Sequence, residues 1–201
     1  MILYGRDLSP FTRRIAIQCR LQDRDVERCD ILTAGPEFEE LRQINPLGRV
    51  PVLVLDDGQI MMESFAIGDW LDETSPNGVR LLPLGGEDRR KVLQLLAMAS
   101  GTADKAVALV YDKNRRPEEF HWPDWHARLE TQIQGGLGLL EGAVRDTWPT
   151  QPNAAEIAAV IAYQFIQATN PHLLDPGYPR LASLVDQAMQ MPAMAETLPT
   201  V

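Results

Sequence analysis

Three short stretches of this 201-residue chain carry residue types that could do chemistry together. The first is Ser9-Pro10-Phe11. Proline at the first position of a helix loses nothing, because that N–H has no intrahelical partner. Ser9 therefore stands at a helix N-terminus, where its hydroxyl can help hold a negative charge. A sulfur nucleophile is the natural beneficiary, since the thiolate and not the thiol attacks. A thiol with pKa near 8.5 is only about 3% ionised at pH 7, and lowering that pKa by about two units takes about 2.7 kcal/mol. A charge-assisted hydrogen bond supplies about 1.5–3 kcal/mol. The helix dipole adds about 0.3–1 kcal/mol. From spacing alone Ser9 as a plain cap is the better reading. Thr12, one turn further in, is the alternative hydroxyl.

The second stretch is NPLGRVPVL, residues 45–53, and the third is Glu63-Ser64 ahead of an apolar helix pattern. Pro51 stands where a strand begins, so it removes no essential ladder bond, and an X–Pro bond can be cis at modest cost. A cis Val50–Pro51 bond would turn the Val50 backbone toward a ligand as a short edge-strand pair. Free N–H groups at the helix opened by Ser64 attract a carboxylate, and Glu63 can accept from an ammonium. The plain alternative is an N-cap. Arg13, Arg14 and Arg49 are expected on solvated faces, with Arg49 best placed to offset an acidic field around an anionic ligand and Arg13 a structural ion-pair partner.

Other reactive types read as structure. Cys19 is in phase with Ile15, and Cys29 sits in a short strand pattern, so both are expected in the core. His121, His126 and His172 fit no zinc spacing, and no nucleophile-elbow sequence accompanies Ser9. Tyr111, Trp122 and Trp125 could line a pocket for an apolar co-substrate, or equally pack in a core or interface. No metal site is expected.

These residues need elements to position them. Residues 1–5 read as a strand, Pro10 to about Cys19 as a helix, Val26–Ile31 as a strand and 36–43 as a short helix. A strand, the tight turn Asp57-Gly58 and a second strand follow, then a helix over Ser64–Glu73. The run Val52–Leu55 suits a strand covered on both faces. Gly and Pro cluster over residues 74–88, placing a linker at 77–86 between a domain at 1–76 and another at 87–201. Beyond it only helical periodicity appears, over a long helix around 93–107 and helices near 123–146, 154–168 and 179–190. Asn153, with Glu156 three residues on, reads as a capping-box start to a helix apolar almost all round, hence central.

Formal charge is −9, so nucleic acid and anionic membrane surfaces are unfavourable partners. The first residues lack a charged-then-apolar leader, and no apolar run is expected to approach the roughly 20 residues that cross a bilayer. Two cysteines form no disulfide framework. The expected location is cytoplasmic.

LSPFTRR, NPLGRVPVL, the MESFAI helix opening, NAAEIAAV and YPRLASLVDQAMQMPAM, in that order and spacing, resemble the glutathione S-transferase superfamily across nearly the whole chain. The resemblance implies an α/β thioredoxin-like N-terminal domain plus an all-α C-terminal domain, a homodimer, and glutathione as co-substrate. It puts Ser9 where serine-type members face the glutathione sulfur, and Val50 against the cysteinyl backbone. It puts Glu63 and Ser64 at the γ-glutamyl end and Arg49, more loosely, near the glycine carboxylate. Asp104, mid-helix, could reach the γ-glutamyl ammonium across a dimer interface, as in some relatives. Two departures stand out. Gly5-Arg6-Asp7-Leu8 replaces the Gly-Ser of many relatives, and the Ser-Ser-Cys-Ser of zeta-type isomerases is missing. Serine at position 9 argues against thiol–disulfide exchange. A transferase acting on an apolar electrophile is the reading this favours. A non-catalytic interaction protein, or a peroxidase or isomerase on the same site, are the alternatives.

Overall fold

Alternation of side chains along short strands organises the first half of the chain. In β1 (Ile2–Tyr4), Leu3 turns to one side, and in β3 (Val52–Val54), Leu53 does the same. Both pack with Ile15, Ala16, Cys19, Ile67 and Leu71 of α1 (Pro10–Leu21) and α3 (Ser64–Glu73). Val52, on the opposite face, packs with Ile31 and with Leu41 of α2 (Pro36–Ile44). The sheet is thus covered on both faces, which the apolar run at 52–55 requires. Strand order is β2-β1-β3-β4, with β2 at Glu27–Cys29 and β4 at Ile60–Met62. β1 and β2 run parallel through the α1 crossover, while β3 pairs antiparallel with β1 and β4. The Asp57-Gly58 hairpin closes with Gly58 at φ 86° and the Asp57 carboxylate accepting from the Gln59 N–H at 2.9 Å.

The computed structural model describes residues 1–175 and 177–199. It divides into two compact units. One is Met1–Leu82 together with the residues from Met191 onward; the other is Pro83–Gln190. This corrects the expectation that residues 87–201 form one helical domain. The last described segment, including α8 (Pro192–Ala195), packs on α1 instead. Met194 and Thr197 are buried there, and the buried Arg13 guanidinium of α1 donates to the Met194 carbonyl at 3.1 Å and to Thr197 Oγ1 at 3.4 Å.

The second unit holds α4 (Gly86–Arg115), α5 (Pro123–Ala143), α6 (Ala154–Thr169) and α7 (Pro179–Ala188). α4 packs against α5 and α6. An 18-residue window of α4 reaches a mean hydropathy of 1.2, enough by length and composition to span a bilayer, which amends the expectation of no such run. α6 is buried on nearly every side. Its start carries the reciprocal pair expected of Asn153 and Glu156. Asn153 Oδ1 accepts from the Ala155 and Glu156 N–H groups at 2.9 and 3.0 Å, and Glu156 Oε2 accepts from the Asn153 N–H at 2.8 Å. Burying Glu156 is made tolerable by this bond and by Arg145, whose Nε lies 2.6 Å from its other oxygen.

Candidate functional site

Ser9 ends the loop from β1 and caps α1 in extended geometry, its Oγ accepting from the Thr12 N–H at 3.3 Å. An oxygen that accepts from the helix keeps its own hydrogen for another acceptor. The loop before it is tied down twice. Arg28 Nη2 donates to the Gly5 carbonyl at 3.1 Å and pairs with Asp7 Oδ1 at 2.8 Å, and the Ser9 N–H donates to the Arg6 carbonyl at 3.0 Å. Gly5 has φ 123°, and a Cβ there would fall 2.5 Å from Thr12 Oγ1 and 2.9 Å from the Val50 Cβ. Glycine lets the loop pass that close. Thr12 itself is fully buried, and its Oγ1 has no hydrogen-bond partner.

The approach to Pro51 is built by Asn45, which is almost fully buried. Its Nδ2 donates to the Arg49 carbonyl at 2.8 Å, and its Oδ1 accepts from the Leu47 N–H at 3.0 Å. Gly48 has φ 60° and would place a Cβ 2.2 Å from Phe38 Cε2. The Val50–Pro51 peptide bond is cis. Val50 is half-buried, just ahead of β3.

Glu63 occupies the N-cap of α3 with φ 67° and ψ 122°, an unusual conformation for a residue with a Cβ. Such outliers concentrate at ligand-binding sites. Its carboxylate is half-exposed and faces Arg49, Oε1 to Nη1 3.5 Å. Ser64, the first residue of α3, is buried. The structure therefore collects Ser9, Thr12, Arg49, Val50, Pro51, Glu63 and Ser64 in one unit. Two helix N-termini, those of α1 and α3, are each opened by a serine.

The arginine expectation needs correcting. Arg13 and Arg14 are buried, not solvated, because α1 is covered on one side by α3 and on another by the segment after Met191. Burial draws both guanidinium groups down to about 10, Asp7 opposing this at Arg13 and Asp72 at Arg14. Arg13 is tied by hydrogen bonds to the Met194 carbonyl and to Thr197. Gln18 Nε2 donates to the Gly68 carbonyl at 2.8 Å and to Asp72 Oδ1 at 2.9 Å.

Cys19 is buried, which pushes its thiol up to about 11; burial, then nearby acids, also raise Cys29. Neither is a ready thiolate. His121, His126 and His172 belong to the other unit, with His126 Nε2 2.6 Å from Asp112 Oδ2 and His172 Nε2 3.2 Å from Glu130 Oε1. Trp122, Trp125 and Tyr111 are exposed there, and Asp104 pairs with Lys105 at 3.8 Å.

A parallel–antiparallel sheet with a proline-led β3, followed by a helical unit, defines the thioredoxin-like architecture with an all-α partner. Residues 3–78 match the glutathione S-transferase N-terminal domain. The chain is 29% identical to the GST-like protein YibF of Escherichia coli K12, over 99% of this chain and 98% of that protein. It is 25% identical to the maleylacetoacetate isomerase of Pseudomonas aeruginosa, over 98% and 93%. A glutathione S-transferase from Methylobacillus flagellatus, solved with glutathione bound, matches at TM-score 0.89 and 27% identity over 99% of both chains. The first unit of this chain thus matches the glutathione S-transferase N-terminal domain, and the chain is similar over almost its whole length to members of the glutathione S-transferase superfamily.

Proposed function

We propose that this protein is a glutathione transferase in which Ser9 donates its hydroxyl hydrogen to the glutathione sulfur. The observation that carries the reading is the Ser9 oxygen at the start of α1, accepting from the Thr12 N–H with its own hydrogen left to give. The thiol loses its proton to solvent, the thiolate attacks an electrophilic carbon of an apolar co-substrate, a C–S bond forms and the leaving group departs. The hydrogen bond and the α1 dipole together match the stabilisation that ionising the thiol needs at neutral pH. The Val50 backbone receives the cysteinyl part, and the α3 N-terminus with Ser64 receives the γ-glutamyl carboxylate. Glu63 takes the ammonium. Arg49 takes the glycine carboxylate, and its exposed pairing with Glu63 is worth only about 0–1 kcal/mol, so a ligand can replace it. The protein is read as a cytoplasmic homodimer.

Calorimetry with glutathione, followed by turnover of an activated aryl halide, tests this. Saturable binding with conjugate formation is expected; no binding would leave the fold serving as an interaction module. A second reading is cis–trans isomerisation assisted by the same thiolate. It is favoured by the similarity to the Pseudomonas isomerase over almost the full chain. Turnover of a maleyl substrate with glutathione regenerated, and no aryl conjugate, would select it.

A further inference from the structure

Two positive features meet at the opening of α3. One is the helix N-terminus itself. The other is Arg14, which is 3% exposed and stacks its guanidinium on the ring of Phe65, the residue after Ser64, 5.0 Å from Cζ to centroid. Nε and Nη2 of Arg14 are buried without a hydrogen-bond partner. Asp72 is the acid whose field reaches Arg14, yet its carboxylate already accepts from Gln18 at 2.9 Å, Gln22 at 3.1 Å and the Leu81 and Leu82 N–H groups at 2.9 and 2.7 Å. The Glu63 carboxylate faces Arg49. A buried cation in this state destabilises the empty protein, and an anion brought beside it relieves that cost.

We propose that Arg14 is the fixed counter-charge for the carboxylate captured at Ser64, and that it sets the affinity for the γ-glutamyl α-carboxylate through its field. Arg14 is a positioning residue here and touches no reacting atom. The inference rests on the glutathione reading and extends it to a residue behind the contact surface. It carries a signature that a structural role lacks. Exchanging an unpaired buried charge for an apolar side chain of similar volume is neutral or stabilising when the site is empty. The same exchange weakens the liganded state. Ligand affinity and unliganded stability should therefore move in opposite directions.

The test is a cycle between protein and ligand. Wild type, Arg14→Met, Arg14→Gln and Arg14→Lys are titrated calorimetrically with glutathione and with 4-aminobutyryl-cysteinyl-glycine, which lacks only the α-carboxylate. Wild type should prefer glutathione over the analogue by about tenfold more than the two neutral variants do, and the lysine variant should recover most of that preference. Unliganded Arg14→Met should melt no lower than wild type. Equal preference in wild type and in whichever neutral variant folds overturns the proposal while leaving glutathione binding intact. So does a lower melting temperature of Arg14→Met with the preference unchanged. Failure of wild type to bind glutathione overturns this proposal and the function it rests on.

Discussion

Arg13 Nη2 lies 3.1 Å from the carbonyl oxygen of Met194, joining α1 to α8, the last helix among the described residues, across 181 positions. The bond is one of the contacts that hold the residues after Met191 in the first unit. It also places a buried structural contact four residues from Ser9, on the same helix. Arg13→Ala should lower stability by about 1–3 kcal/mol, because a buried carbonyl and the Thr197 hydroxyl lose a donor. The urea midpoint at constant slope reads this out. Arg13→Lys should recover only part, since an ammonium lacks the guanidinium fork.

Ser9 and Thr12 can be separated. Ser9→Ala removes the α1 cap and should cost about 1 kcal/mol of stability together with most of the turnover. Thr12→Val removes a buried hydroxyl that bonds to nothing, so stability should hold or rise and turnover should be unchanged. Kinetics and thermal melts of both variants check this. Lost turnover in Thr12→Val with Ser9→Ala still active would exchange the two roles.

Gly48 is a conformational requirement of the segment that delivers Val50. Its φ of 60° and the Phe38 ring beside it leave no room for a methyl group. Gly48→Ala should destabilise by about 1–3 kcal/mol and weaken glutathione binding as the Arg49–Val50 backbone shifts. A variant with wild-type stability and affinity would contradict this geometry.

The end of α4 should respond to acid. The hydrogen bond from His126, aided by the charge of Arg116, holds the Asp112 carboxyl below its usual value. A carboxyl depressed in the folded state stabilises above its ordinary pKa and loses that contribution as pH falls through the folded one. Asp112→Asn should therefore melt lower than wild type at pH 7, and the gap should close toward pH 3. Melting curves across that range decide it, a constant gap counting against the assignment.

Much of this protein was written locally. Pro10 after Ser9, the Asp57-Gly58 turn, the Asn153–Glu156 cap and the apolar run at 52–55 each set a start, a turn or a two-sided strand. They act through contacts within a few residues, and periodicity reports those directly. The order of elements follows from the same information. Burial across long separations is a different matter. Arg13 and Arg14 look like surface residues on any helical wheel, and only α3 and the returning C-terminal segment turn them into buried cations. The orphan hydroxyl of Thr12 and the counter-ion that Arg14 lacks are likewise products of packing. A side chain's desolvation depends on what the rest of the chain places over it, and no local pattern encodes that.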